Sequence, residues 1–147
     1  MSHHATYDTF GGDDTLIKAY EHWSVLCRPA QATKGAMVLI VHADVTAYSE
    51  LPKAAFAEMH QAISDIETAL KAAYGPDKMN YLMLMMVDPH VHYHVIPRYS
   101  DDRPEEDPGW PGPPVLSASA DESPADVRDT LKSVWPGAAF DADQSGS

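Results

Sequence analysis

The stretch His90-Val91-His92-Tyr93-His94-Val95-Ile96 sets a histidine at every second position. Period two is the period of a β-strand, so His90 to Pro97 is predicted to be extended, with His90, His92 and His94 on one face and successive members of the row roughly 7 Å apart at Cα. Val91, Tyr93 and Val95 then point the other way, into apolar packing. Three imidazoles in a row are poor core material, because each buried ring nitrogen needs a hydrogen-bond partner. The row is therefore read as a chemical site, and the Asp88-Pro89 pair before it as a turn.

Upstream, Met79 to Val87 (MNYLMLMMV) is apolar at nearly every position, the pattern of a strand covered on both faces. Met83, Met85 and Met86 offer thioether sulfurs for copper, but neighbours on a strand alternate faces and do not converge, so they are assigned to the core. Ser49 to Tyr74 is predicted to be a helix. Phe56, Met59, Ile63, Ile66 and Leu70 form its apolar face, and Glu58, Asp65, Glu67 and Lys71 its polar face. Pro52 suits its first turn and Gly75-Pro76 its end. His60 is read as a surface histidine. His22 to Cys27 and Gly35 to His42 read as two strands, with a hairpin connection over Pro29 to Lys34. A helix followed by adjacent strands with a short turn between them gives an α+β class with an antiparallel sheet.

Residues 1–15, polar and containing Gly11-Gly12-Asp13-Asp14, are predicted to be a loose N-terminal arm; residues 16–100 form the core. Residues 101–147 form an acidic, Pro-rich extension that wraps the domain, with Trp110 as a pin and a short helix from Ser123 to Trp135 capped by Ser123. The net charge is −12, and residues 99–147 hold 11 acids against 3 bases. That balance argues against nucleic acid as a partner and against anionic membranes, both of which demand clustered Lys and Arg. No apolar run approaches the roughly 20 residues of a membrane span. No basic-then-apolar leader is visible, and the single cysteine, Cys27, has no internal partner and no assigned chemistry, so a cytoplasmic location is expected.

Two chemistries use a histidine row. Neutral imidazoles two apart on a strand can share a zinc ion, with Asp88 the only nearby acid. Alternatively, one imidazole attacks a phosphorus centre while a neighbour holds its other N–H and fixes the tautomer, and flanking histidines donate to the phosphate oxygens. Spacing alone leaves the two open.

Asn80 to Tyr99, NYLMLMMVDPHVHYHVIPRY, resembles the signature of the histidine-triad (HIT) family, in which His-x-His-x-His precedes two apolar residues. The similarity extends back through the helix and the GAMVLIV strand, over roughly residues 20–99. The resemblance implies a half-barrel with a five-stranded antiparallel sheet, one long helix and, here, a short C-terminal one, usually paired into a homodimer with a ten-stranded sheet. It also implies cleavage of a nucleoside monophosphate, AMP foremost, from a phosphoramidate or dinucleoside polyphosphate, with no cofactor. On this pattern His92 is the nucleophile, His90 orients it through a backbone carbonyl, and His94 donates to the phosphate and the leaving group. Ile40 and Val41 wall the base of a purine nucleotide, and His42, Asp44 and Asp88 lie toward the phosphate. Asp44 stands where many members carry a fourth histidine, and Met86 and Val87 where members carry Gln, Asn, Ser or Thr. Those departures make a nucleotide-binding module with little catalysis the alternative, with a histidine-row metalloprotein third.

Overall fold

The computed structural model describes residues 5–84, 89–100 and 122–137. Within them, five strands form one antiparallel sheet: β1 (Leu16–Ala19), β2 (Trp23–Cys27), β3 (Met37–Val41), β4 (Lys78–Leu82) and β5 (His92–Arg98), in the order β1-β2-β3-β5-β4. Three α-helices accompany it: α1 (Ala5–Thr9), α2 (Lys53–Ala73) and α3 (Pro124–Val134). The expected α+β class and five-stranded sheet are thus present. No described helix is long and apolar enough to cross a membrane.

The sheet has two differently used faces. On one, Trp23, Val25, Leu39, Val41, Val91 and Val95 pack beneath α2 and α3, against Ala55, Ala62, Ile66, Leu70, Val127 and Leu131. On the other, Leu26, Val38 and Ile40 meet Tyr7, with Phe10 and Leu16 alongside. Residues 5–15 are therefore folded against the sheet, contrary to the expected loose arm. Tyr7 is buried and its hydroxyl donates to Asp13. A lone tyrosine and phenylalanine among polar residues have no periodicity to signal this. Strand β1 was likewise missed, being four residues long.

Three further expectations need correction. The apolar face of α2 is rotated from the one expected: Phe56 is 38% exposed, and small Ala55, Ala62 and Ala69 face the sheet, where they let the helix approach closely. Asp65, assigned to solvent, is buried because it accepts from the Tyr20 hydroxyl and from Gln61, while Tyr20 in turn accepts from Trp135 Nε1. Strand β4 ends at Leu82 and is only partly buried, since it lies at the edge of the sheet rather than inside it; Met85, Met86, Val87 and Asp88 lie outside the described residues.

The ends of α2 follow local chemistry. Pro52, in extended backbone, precedes the first turn, and Gly75 adopts φ +61° while its N–H bonds to the Leu70 carbonyl. Helix α3 begins as expected, with the Ser123 hydroxyl accepting from the Asp126 N–H. The β2–β3 hairpin closes around Gln31, whose amide donates to the Arg28 and Ala36 carbonyls and accepts from the Gly35 N–H. Gly35 has φ +92°, and a Cβ there would lie 2.6 Å from buried Leu70 Cδ2. Trp110 and the rest of 101–121, together with 138–147, lie outside the described residues.

Candidate active site

Strand β5 lies between β3 and β4, so the histidine row sits near the middle of the sheet rather than at its rim. His92 pairs with Ile40; His94 lies between Val38 and Leu82. Alternation then sends Tyr93 and Val95 toward α2 and leaves both imidazoles on the face that α2 does not cover. Their rings are 5.1 Å apart and nearly perpendicular. His90 precedes the strand proper, in backbone held by Val91 N–H to the Val45 carbonyl and Val41 N–H to the Val91 carbonyl.

Hydrogen bonds fix which nitrogen carries the proton in two of the rings. His92 Nδ1 lies 2.6 Å from the carbonyl oxygen of His90, and a carbonyl only accepts, so Nδ1 carries the proton and, in the neutral ring, Nε2 keeps its lone pair. Among the described residues, Nε2 of His92 has no hydrogen-bond partner. His90 Nε2 donates in turn to the Val41 carbonyl at 2.8 Å. One side chain and one carbonyl of His90 thereby lock the row to β3 and orient the ring that follows.

His94 is different. Its Nδ1 is buried with no hydrogen-bond partner. Burial first, then the charge of Arg28 and the neighbouring His92, lower its pKa to about 4. The sign for stability follows: between pH 6.5 and about 4 the unfolded chain takes up a proton at this position and the folded chain does not. Stability is therefore lost as pH falls through that window. We expect the melting temperature of His94→Gln to fall less steeply than wild type from pH 7 to pH 4. Parallel melting curves for the two proteins would contradict this.

The model of the HIT domain matches residues 13–101. The chain belongs to the histidine-triad family. Solved structures of similar fold include a histidine triad protein from Bradyrhizobium japonicum, at TM-score 0.68 and 23% identity over 91% of this chain and 98% of that one. A zinc-bound histidine triad family protein from Mycobacterium smegmatis has TM-score 0.63 and 17% identity, covering 88% of this chain and 86% of that one. The NitFhit protein of C. elegans reaches 0.65 at 16% identity, with 84% of this chain matching 28% of the longer one. A search of curated protein sequences gave no match.

The other residues expected around this histidine triad are not all brought together. Ile40 lies on the triad face, directly beside His92. Val41 points into the opposite core and contributes its carbonyl to His90 instead of a side chain. His42 is engaged across the hairpin: its Nδ1 donates to the Glu21 carbonyl, and its Nε2 accepts from the Ser24 hydroxyl at 2.7 Å. Burial lowers its pKa, so it stays the neutral ring that this pairing requires. Asp44 is exposed in the loop after β3, and Asp88 lies outside the described residues.

Two neighbours of the triad were not anticipated. Phe10 lies 5.8 Å from the His92 ring and 5.6 Å from that of His94, meeting the latter edge-on. Arg28 extends the β2 alternation beyond Leu26, placing it on the triad face, with its N–H bonded to the Ala36 carbonyl. Period two would have put Leu26 and Arg28 on one face; reading Arg28-Pro29 only as a strand end concealed it.

Proposed function

We propose that this protein is a nucleotidyl hydrolase or transferase that cleaves a nucleoside monophosphate, AMP foremost, from a phosphoramidate or dinucleoside polyphosphate. The reading is carried by the His92 tautomer: Nδ1–H donating to the His90 carbonyl leaves the Nε2 lone pair available to attack. In the first step Nε2 forms a bond to the α-phosphorus while the bond to the leaving nitrogen or oxygen breaks. His90 holds the ring's Nδ1 proton in place, which stabilises the positive charge arising on the imidazole. An anionic phosphate beside His94 raises that ring's pKa, so that it donates to the phosphoryl oxygens and the departing atom. Water then attacks the phosphorus, the N–P bond breaks, and AMP leaves.

Support for a nucleotide partner comes from membership of the family. A homodimer is proposed at the β4 edge, where Leu84 is 50% exposed, and a cytoplasmic location is retained as part of the proposal. A binding module with little catalysis is the second reading, favoured by the engagement of both His42 ring nitrogens elsewhere and by exposed Asp44.

The test is capture of the intermediate. Protein mixed with adenosine phosphoramidate and quenched in acid-free denaturant is expected to carry one adenylyl group, which peptide mapping places on His92. A protein that binds AMP by calorimetry but neither acquires the adduct nor releases product across phosphoramidate and dinucleotide substrates is the binding module instead.

A further inference from the structure

Among the described residues, none answers the charge of Arg28. Its Nε is buried and has no hydrogen-bond partner, and burial alone pulls its guanidinium pKa below the ordinary value. The other described arginines are engaged: Arg98 donates to Asn80, and Arg128 pairs with Asp129 at 2.8 Å. In a chain with 22 acids against 10 bases, a half-buried arginine with no carboxylate partner among the described residues runs against the composition.

Its position adds meaning to the imbalance. The β2–β3 and β3–β5 registers place Leu26, Val38 and His94 in one row across the sheet, and Arg28 stands beside Ala36, one two-residue step further along the same face. Its Cα is thus about 7 Å along the strands and about 10 Å across two of them from that of His94, a gap that a long arginine side chain largely bridges. His94 Nδ1 is the second buried, unpartnered polar atom on this face, and the charge of Arg28 is felt at its ring. A cation and a neutral imidazole both lacking partners, with apolar residues between them, describe a place where an anionic ligand group completes the hydrogen bonding.

We propose that Arg28 forms a second anion subsite on the triad face and is a specificity-determining residue, selecting ligands that carry a phosphate besides the one His92 would engage. The inference rests on the nucleotide reading given above. A planar guanidinium fork matches two oxygens of a phosphate, which a hydroxyl does not offer. The second phosphate has two chemical sources: a further unit of a polyphosphate chain, or a phosphate ester on the sugar.

Calorimetry on the full chain distinguishes them, using AMP, ADP and adenosine 3′,5′-bisphosphate as probes. One two-phosphate probe is expected to bind at least about tenfold tighter than AMP: ADP if the subsite takes the chain, the bisphosphate if it takes a sugar ester. In Arg28→Gln the ratio of that probe to AMP is expected to collapse to about twofold. In Arg28→Lys, which keeps the charge and loses the fork, it falls by about threefold. Equal affinity of wild type for AMP and both other probes overturns the subsite while leaving the nucleotide reading standing. An unchanged ratio in Arg28→Gln also overturns it, as does an unchanged ratio in Arg28→Lys where circular dichroism shows Arg28→Gln unfolded. Binding of none of the three probes overturns the nucleotide reading, and the subsite with it.

Discussion

His92→Ala is expected to lower the rate of AMP release from adenosine phosphoramidate by about 10⁴-fold or more, the scale on which removing a nucleophile acts. The magnitude follows from how the ring is held. Its Nδ1 is bonded to the His90 carbonyl at 2.6 Å, so the ring already holds the tautomer in which Nε2 attacks. His42 has both ring nitrogens engaged, and His94 lies one row further along. The variant is expected to keep its fold, because Ile40 and Phe10 pack around the site without requiring the imidazole as a bridge. Initial rates on matched preparations check this. A loss under tenfold would mean that another group attacks phosphorus and that the row has been misassigned.

The largest expected effect on stability is at Trp23. Its side chain is fully buried at the start of β2, packed near Tyr93 with ring centroids 6.2 Å apart, and its Nε1 donates to the Ala55 carbonyl in the first turn of α2 at 2.7 Å. It therefore ties the long helix to the sheet through both apolar contact and a hydrogen bond. Trp23→Ala is expected to cost about 3–5 kcal/mol, the range for truncating a large buried aromatic. Trp23→Phe retains part of the ring volume but leaves the Ala55 carbonyl without this donor, at about 1–3 kcal/mol. Since a domain of this kind has only about 5–15 kcal/mol in total, the alanine variant is expected to be close to unfolding at room temperature. Urea melts measure both values. A shift below about 1 kcal/mol for Trp23→Ala would mean that the helix is held to the sheet by other contacts.

How legible each element was depended on whether its signal was local. Ser123 with Pro124 and Asp126 is a start signal contained within a few residues, and α3 begins where it indicates. The strands at Trp23–Cys27 and Met37–Val41 stood out as short runs bounded by breakers. Helix α2 was recognisable by its length, yet its buried face was misjudged: large side chains such as Phe56 dominate any hydrophobicity pattern, whereas the sheet approaches closely only over Ala55, Ala62 and Ala69. Asp65 could not have been placed inside from its neighbours in sequence, because Tyr20, which donates to it beside the helical neighbour Gln61, lies 45 residues away.

For the histidine row, alternation alone determined that His92 and His94 share a face and that Val91 and Val95 belong to the opposite core; the strand's period of two requires it. Resemblance added the expectation of nucleotidyl chemistry. Only the tertiary structure decided what surrounds the row: Val41 lending a carbonyl rather than a side chain, His42 tied to Ser24 and Glu21, Phe10 laid against two of the rings, and Arg28 on the same face with no partner for its Nε among the described residues. These relations depend on register between strands that are far apart in the chain. A period read within one segment says which way its own side chains point, and it contains nothing about which residue of another segment will stand beside them.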